Sequence, residues 1–167
     1  VNAFTPLAAF IDKKYGLENA DVNVIHNIQK YRFDENYTLN RKFCTLEKSA
    51  VQLMECINEN NFVVNYTVIP YTGVSTIDYR FSLNNCPSLD QFLFDIETSV
   101  KEGDLHGLYD IQEVDIGPEV HNCTTFSSVF IKEGIKVIND QVYIFSYFDN
   151  ENSVNRFYDL ANFICGK

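Results

Sequence analysis

The chain has 167 residues, 46 % of them apolar and 14 % aromatic, with 23 acids against 13 bases and a formal net charge of -10. Its length predicts a single domain over 1–167 with a core of its own, and its composition excludes a disordered chain. The acidic balance speaks against nucleic acid, whose phosphates need a basic surface, and no apolar run reaches the roughly eighteen residues of a membrane span.

Thr5 reads as an N-cap with Pro6 at the first helical position. Leu7, Phe10 and Ile11 follow at helical spacing until Gly16, which predicts a helix over 6–15. From Asp21 to Phe33, Val22, Val24 and Ile28 alternate with Asn23 and Asn27, the pattern of a strand broken or bulged near His26. Tyr37, Leu39, Arg41 and Phe43 continue the period of two after a hairpin turn at Asp34-Glu35. The period changes over 45–57, where Leu46, Ala50, Leu53, Met54 and Ile57 share a helical face.

Residues 61–71 return to a strand, with Phe62, Val64, Tyr66 and Val68 on one face and Val63, Asn65, Thr67 and Ile69 on the other; glycosylation at Asn65 would turn the second set to water and make the first set core. Pro70 ends it, a turn at Thr72-Gly73-Val74 follows, and 76–83 is expected as its hairpin partner. On that partner Ile77, Tyr79 and Phe81 face inward, Asp78 and Arg80 outward. Ser88 and Gln91 form a capping box that opens a helix carrying Leu89, Phe92, Leu93, Ile96 and Val100 as far as Gly103. Strands are expected over 108–116, 126–132, 134–138 and 142–148, with Asn139-Asp140 as a hairpin turn. Ser153 is expected to cap a last helix bearing Val154, Phe157, Tyr158, Ala161 and Ile164 on one side. Short strands with few helices predict a mainly β fold, an antiparallel β-sandwich with a few short peripheral helices.

Charge is concentrated in one place. Between Asp90 and Glu119 nine acids stand against the single base Lys101, a local net of -8. A strand within it displays Asp110, Glu113 and Asp115 beside a helix carrying further acids. Such a platform suits a basic partner, with Asp78 contributing from another strand and Tyr109, Ile111 and Tyr79 as neighbouring anchors. Glu97 and Glu102 sit late in their helix, where the dipole disfavours them, which favours a binding role.

Chemistry is not signalled. The three histidines, His26, His106 and His121, fit no catalytic motif, and neither metal-ligand spacing nor a phosphate-binding glycine loop is present, so no cofactor or metal is expected and the chain is not read as an enzyme. Five separated cysteines, Cys44, Cys56, Cys86, Cys123 and Cys165, fit two disulfides and one leftover thiol in a secreted domain, with the pairing open, or else five reduced, buried thiols in a cytosolic protein. Sequons at Asn36, Asn65 and Asn122 lean the same way. The chain opens on Val1 rather than Met, which suggests processing or excision from a longer protein.

A glycosylatable, acidic, Trp-free chain of this size, rich in Asn, Asp, Ile, Phe and Tyr and carrying the strand Tyr109-Asp-Ile-Gln-Glu-Val-Asp-Ile116, resembles the secreted immune modulators of poxviruses. It looks most like the SECRET domain, the chemokine-binding module at the C-terminus of poxvirus-encoded tumour necrosis factor receptors, and like related viral chemokine-binding proteins. The resemblance implies a secreted viral decoy, a β-sandwich whose acidic sheet face captures basic host chemokines, with cysteine-rich receptor repeats before Val1. The odd cysteine count departs from that pattern. Two rival readings are a module for another host protein, such as a cytokine or a class I histocompatibility molecule, and a small secreted hydrolase built on Cys123 and His121.

Overall fold

The computed structural model describes residues 1–28, 45–71 and 73–166. Its order is α1 (Thr5–Tyr15), β1 (Leu17–Asn27), α2 (Thr45–Leu53), β2 (Phe62–Ile69), β3 (Ser75–Leu83), α3 (Leu89–Glu102), β4 (Tyr109–Gln112), β5 (Ser128–Ile131), β6 (Lys136–Ile138), β7 (Gln141–Phe148) and α4 (Asn152–Ile164). Short 3-10 turns lie at Pro118–His121 and Lys132–Gly134. The turn expected at Asp34-Glu35, the alternation Tyr37 to Phe43, Asn36 and Cys44 fall outside the described residues.

The strands form one mixed seven-stranded sheet in the order β2-β1-β3-β7-β5-β4, with β6 also on β7. β1 pairs parallel with β2 and antiparallel with β3, so β1 lies between two strands that were expected to pair with each other as a hairpin. Among the described residues helices, with the 3-10 turns, take up 36 % and strands 32 %, and the sheet is open. The β-rich, helix-bearing expectation holds in that coarse form. A second sheet, which a sandwich needs, is not found among the described residues. The reason is that helices α1, α2 and α3 bury one sheet face themselves. Leu7 and Ile11, Leu46 and Ala50, and Phe92 and Ile96 join Val22, Val24, Tyr79, Phe81, Phe130 and Ile144 in one core.

Local details correct several expectations. β1 runs unbroken through His26, and its irregularity lies at Leu17/Asn19 instead. Thr5 does not cap α1: its buried hydroxyl has no partner, and the Leu7 N–H is satisfied across the fold by the Tyr109 hydroxyl at 3.2 Å. α2 stops at Leu53, whose side chain is exposed, while Met54 and Ile57 reach the core from the following loop. β4 ends at Gln112, four residues short of the expected strand. Ser153 does not cap α4, which begins after Glu151 without a side-chain cap.

The capping box of α3 is present, with the Ser88 hydroxyl accepting from the Gln91 N–H at 3.2 Å. Gly103 ends that helix where a Cβ would come within 2.8 Å of Ser99 Cα, closer than any side chain tolerates. The β6–β7 turn also matches expectation. Asn139 sits there in the left-handed region at φ 56°, a conformation asparagine accepts more readily than most residues.

Candidate functional site

With α1, α2 and α3 on one side, strand alternation turns the remaining side chains onto an opposite face that carries no α-helix among the described residues. The register aligns them in rows. One row runs Val63, Asp21, Arg80, Tyr143, Lys136; the next runs Asn65, Asn23, Asp78, Phe145; a third runs Thr67, Ile25, Thr76, Tyr147, Val129, Asp110. Asn23, Asn65, Asp78 and Arg80 are exposed, and the first two rows line a shallow concavity of about 510 Å³.

The charges on this face are unequally committed. Arg80 is paired with Asp21 at 3.5 Å and lies over the Tyr143 ring, 5.2 Å from its centroid. Asp78 has neither ion pair nor hydrogen bond among the described residues, and partial burial lifts its carboxyl above the ordinary value. Asp110 is exposed in the third row, separated from Asp78's strand by β7 and β5. Asp115 reaches the same row from the loop after β4, where both its carboxylate oxygens accept from the Tyr147 hydroxyl at 3.1 Å. Burial and that carboxylate push the phenol up to about 12.

The sequence-predicted set is thereby divided. Asp78, Asp110 and Asp115 come to the open face. Glu113 leaves it, because Lys132 holds Glu113 at 3.1 Å and Glu97 of α3 at 2.6 Å. Tyr109 is corrected outright: it is 1 % exposed, stacks on Phe130 at 4.9 Å and donates to Ala3 O at 3.1 Å, so it offers no surface to a partner. Tyr79 is equally buried.

The acidic excess is also smaller in space than along the chain. Lys13 pairs with Asp104, Lys14 with Asp95 and Lys132 with Glu97 and Glu113, so three lysines from outside the stretch offset three of its eight net charges. Glu97, unfavourable for its own helix dipole, is accounted for by that tertiary ion pair rather than by binding.

Sequence reasoning missed the group that covers the β5 end of the open face. His121 is buried, stacks on Tyr147 at 5.0 Å, and its Nε2 has no partner. Burial lowers its pKa against the opposing pull of Asp115 and Asp110. His121 Nε2 makes no hydrogen bond to the neighbouring Cys123 thiol, and Cys123 is itself exposed in a left-handed conformation at φ 59°. The nucleophile and base of the hydrolase reading are not joined. Beside them a cleft of about 670 Å³ is lined by His26, Asn27, Glu119, Asp149, Asn150 and Ser153.

Cys56, Cys86, Cys123 and Cys165 are all free thiols, so no disulfide is formed among the described cysteines, and Cys165 does not tie α4 down. Burial first, then Asp12, pushes the Cys56 thiol up to about 11. The sequon residues Asn65 and Asn122 both stand exposed. Among the described residues no cluster of His, Cys, Asp or Glu could hold a metal ion, and no helix is long and apolar enough to cross a membrane. No protein-family model matches the chain, and no curated protein matches it.

Proposed function

We propose that this chain is a secreted viral decoy that captures basic host chemokines on the open face of its sheet and so keeps them from their receptors. The observation that carries the reading is the uncommitted Asp78 carboxylate, exposed on the sheet face opposite α1, α2 and α3, which also presents Asp110 and Asp115. Separated acids on a flat surface speed encounter with a cationic protein, while Tyr143 and Phe145 between them supply aromatic area for affinity. Secretion and viral origin enter from the resemblance, helped by the exposed sequons; the free thiols lend them nothing.

The test is association of the purified domain with a panel of basic chemokines at about 50 mM and about 300 mM salt, with an acidic cytokine and a class I histocompatibility molecule alongside. The expected result is tight binding to some chemokines, weakened by salt, with on-rates about tenfold slower in Asp78→Lys and Asp110→Lys. Unaltered rates in both variants at low salt would remove the open face as the site. Binding to no chemokine, or to the acidic control as well, would overturn the reading.

A further inference from the structure

α4 is attached to the protein through polar groups near its start. Asn152 is buried, accepting from Asn2 Nδ2 at 3.4 Å and donating to Ser127 O at 3.4 Å, and Arg156 donates to Thr125 O at 3.1 Å. At 100° per residue these groups share one side of the helix. Val154, Phe157, Tyr158, Ala161 and Ile164 therefore lie on the opposite side, and no residue of α4 belongs to the hydrophobic core. Val154 is 61 %, Phe157 72 %, Tyr158 66 % and Ile164 73 % exposed. An amphipathic helix normally buries such a stripe; here the stripe is turned to water.

We infer that this stripe is the contact between two copies of the chain, packed as an antiparallel pair of α4 helices. Three observations select a second copy. The spacing of 154, 157, 158, 161 and 164 is the three-and-four alternation of a helix–helix seam. A two-fold axis passing near residue 159 sets Phe157 against the partner's Ala161 and Val154 against the partner's Ile164, so a large ring meets the one small residue of the stripe in a self-complementary contact.

Area is the second observation. With fully exposed large apolar side chains presenting about 150–200 Å² each, Val154, Phe157, Tyr158 and Ile164 leave on the order of 400–550 Å² per copy. Two copies bury about 800–1,100 Å², at the lower bound for a specific interface, the size of a weak and reversible association. Charge is the third. α4 carries one base and one acid in a chain of net charge -10, so it is the neutral surface on which two copies meet with least repulsion. A membrane surface fits less well, because helices that lie on anionic lipid carry Lys and Arg along their polar face.

Sedimentation equilibrium of the chain from about 1 to 100 µM, with anionic and neutral vesicles tested in parallel, checks the inference. A concentration-dependent rise to the mass of two chains is expected, with Phe157→Glu and Ile164→Glu each remaining at one chain throughout. Both substitutions fall on exposed positions, so circular dichroism and melting temperature should match the parent, which separates lost pairing from lost folding. A single-chain mass at 100 µM overturns the inference, as does a pair that survives Phe157→Glu. A single chain that pellets with vesicles, and ceases to in Phe157→Glu, replaces it with membrane docking.

Discussion

Tyr15 donates its phenolic hydrogen to Asp95 at 2.6 Å, joining the last residue of α1 to the middle of α3. Both side chains are buried, and Asp95 also accepts from Lys14 at 2.7 Å and from Gln91 at 3.0 Å. Burial alone raises a carboxyl pKa, but these three donors outweigh it and leave Asp95 below its ordinary value. Tyr15 is correspondingly raised, by burial first and Asp95 second. The clasp fixes two of the three helices that cover the sheet.

Asp95→Asn and Tyr15→Phe should each lower stability, by about 1–3 kcal/mol in urea denaturation at neutral pH. Because the folded pKa of Asp95 lies below the unfolded one, its contribution is complete above roughly pH 4 and is lost as pH falls through the folded value. In Asp95→Asn the acid limb of the stability curve should flatten below about pH 4. An unchanged limb would mean that the carboxylate is not what the clasp depends on.

His26 and His121 act in the opposite pH range. Burial lowers both, and His26 is packed between the rings of Tyr66 and Phe148 at 5.6 and 5.9 Å. Protons then bind the unfolded chain more readily than the folded one, so stability is full above about pH 6.5 and declines as pH falls below it. Denaturation midpoints at pH 7.5 and 5.5 should differ, and His121→Gln should narrow the difference. Equal midpoints would place both imidazoles in contact with water.

Tyr79 and Tyr109 converge on one acceptor, Ala3 O, at 2.6 and 3.1 Å. Either hydroxyl alone satisfies that carbonyl. Tyr79→Phe should therefore cost about 1 kcal/mol, and Tyr109→Phe more, about 1–3 kcal/mol, because it also strands the buried Leu7 N–H. The double variant should exceed the sum of the two, since only then is Ala3 O left without a donor. Strict additivity in a double-mutant cycle would show that water replaces the lost hydroxyls.

Thiol labelling under native conditions separates the cysteines. Cys123 and Cys165 are exposed and should react within seconds to minutes at pH 8. Cys56 and Cys86 should lag, because burial first raises both thiols, reinforced by Asp12 at Cys56 and by Asp140 at Cys86. Peptide mapping reads the order of modification. Failure of Cys123 and Cys165 to label would restore the disulfide plan suggested by composition.

Local structure was legible wherever one element carried its own signal. Ser88, Gln91 and Gly103 mark α3 because a cap, a reciprocal partner and a helix end are all properties of neighbouring residues. The inward set Ile77, Tyr79, Phe81 and outward pair Asp78, Arg80 followed from alternation alone. Pairing was not legible in this way. Whether β3 lies beside β2 or beside β1 depends on where α2 carries the chain between β1 and β2, and no residue of β3 encodes that path.

The candidate site was legible in its charges and illegible in their commitments. Asp110 and Glu113 are alike in sequence and both exposed, yet only Glu113 is held by a lysine, Lys132, nineteen residues later. Tyr109 shows the same limit. Next to acids it reads as a surface anchor, but strand alternation combined with the approach of α1 places it in the core as that helix's cap. The α4 stripe was found by spacing, and only the attachment of Arg156 to the body shows which way it faces.

The strand order also constrains how the molecule is made. β1 emerges from the ribosome first, but both its neighbours lie more than thirty residues downstream, and β7, the last strand, separates β3 from β5. Without β7 the strand order leaves two groups that do not pair with each other, β2-β1-β3 and β5-β4, each with an unpaired edge where β7 inserts. Assembly is accordingly gated by the slowest, longest-range pairings, and a chain truncated before β7 should be captured by chaperones or by aggregation.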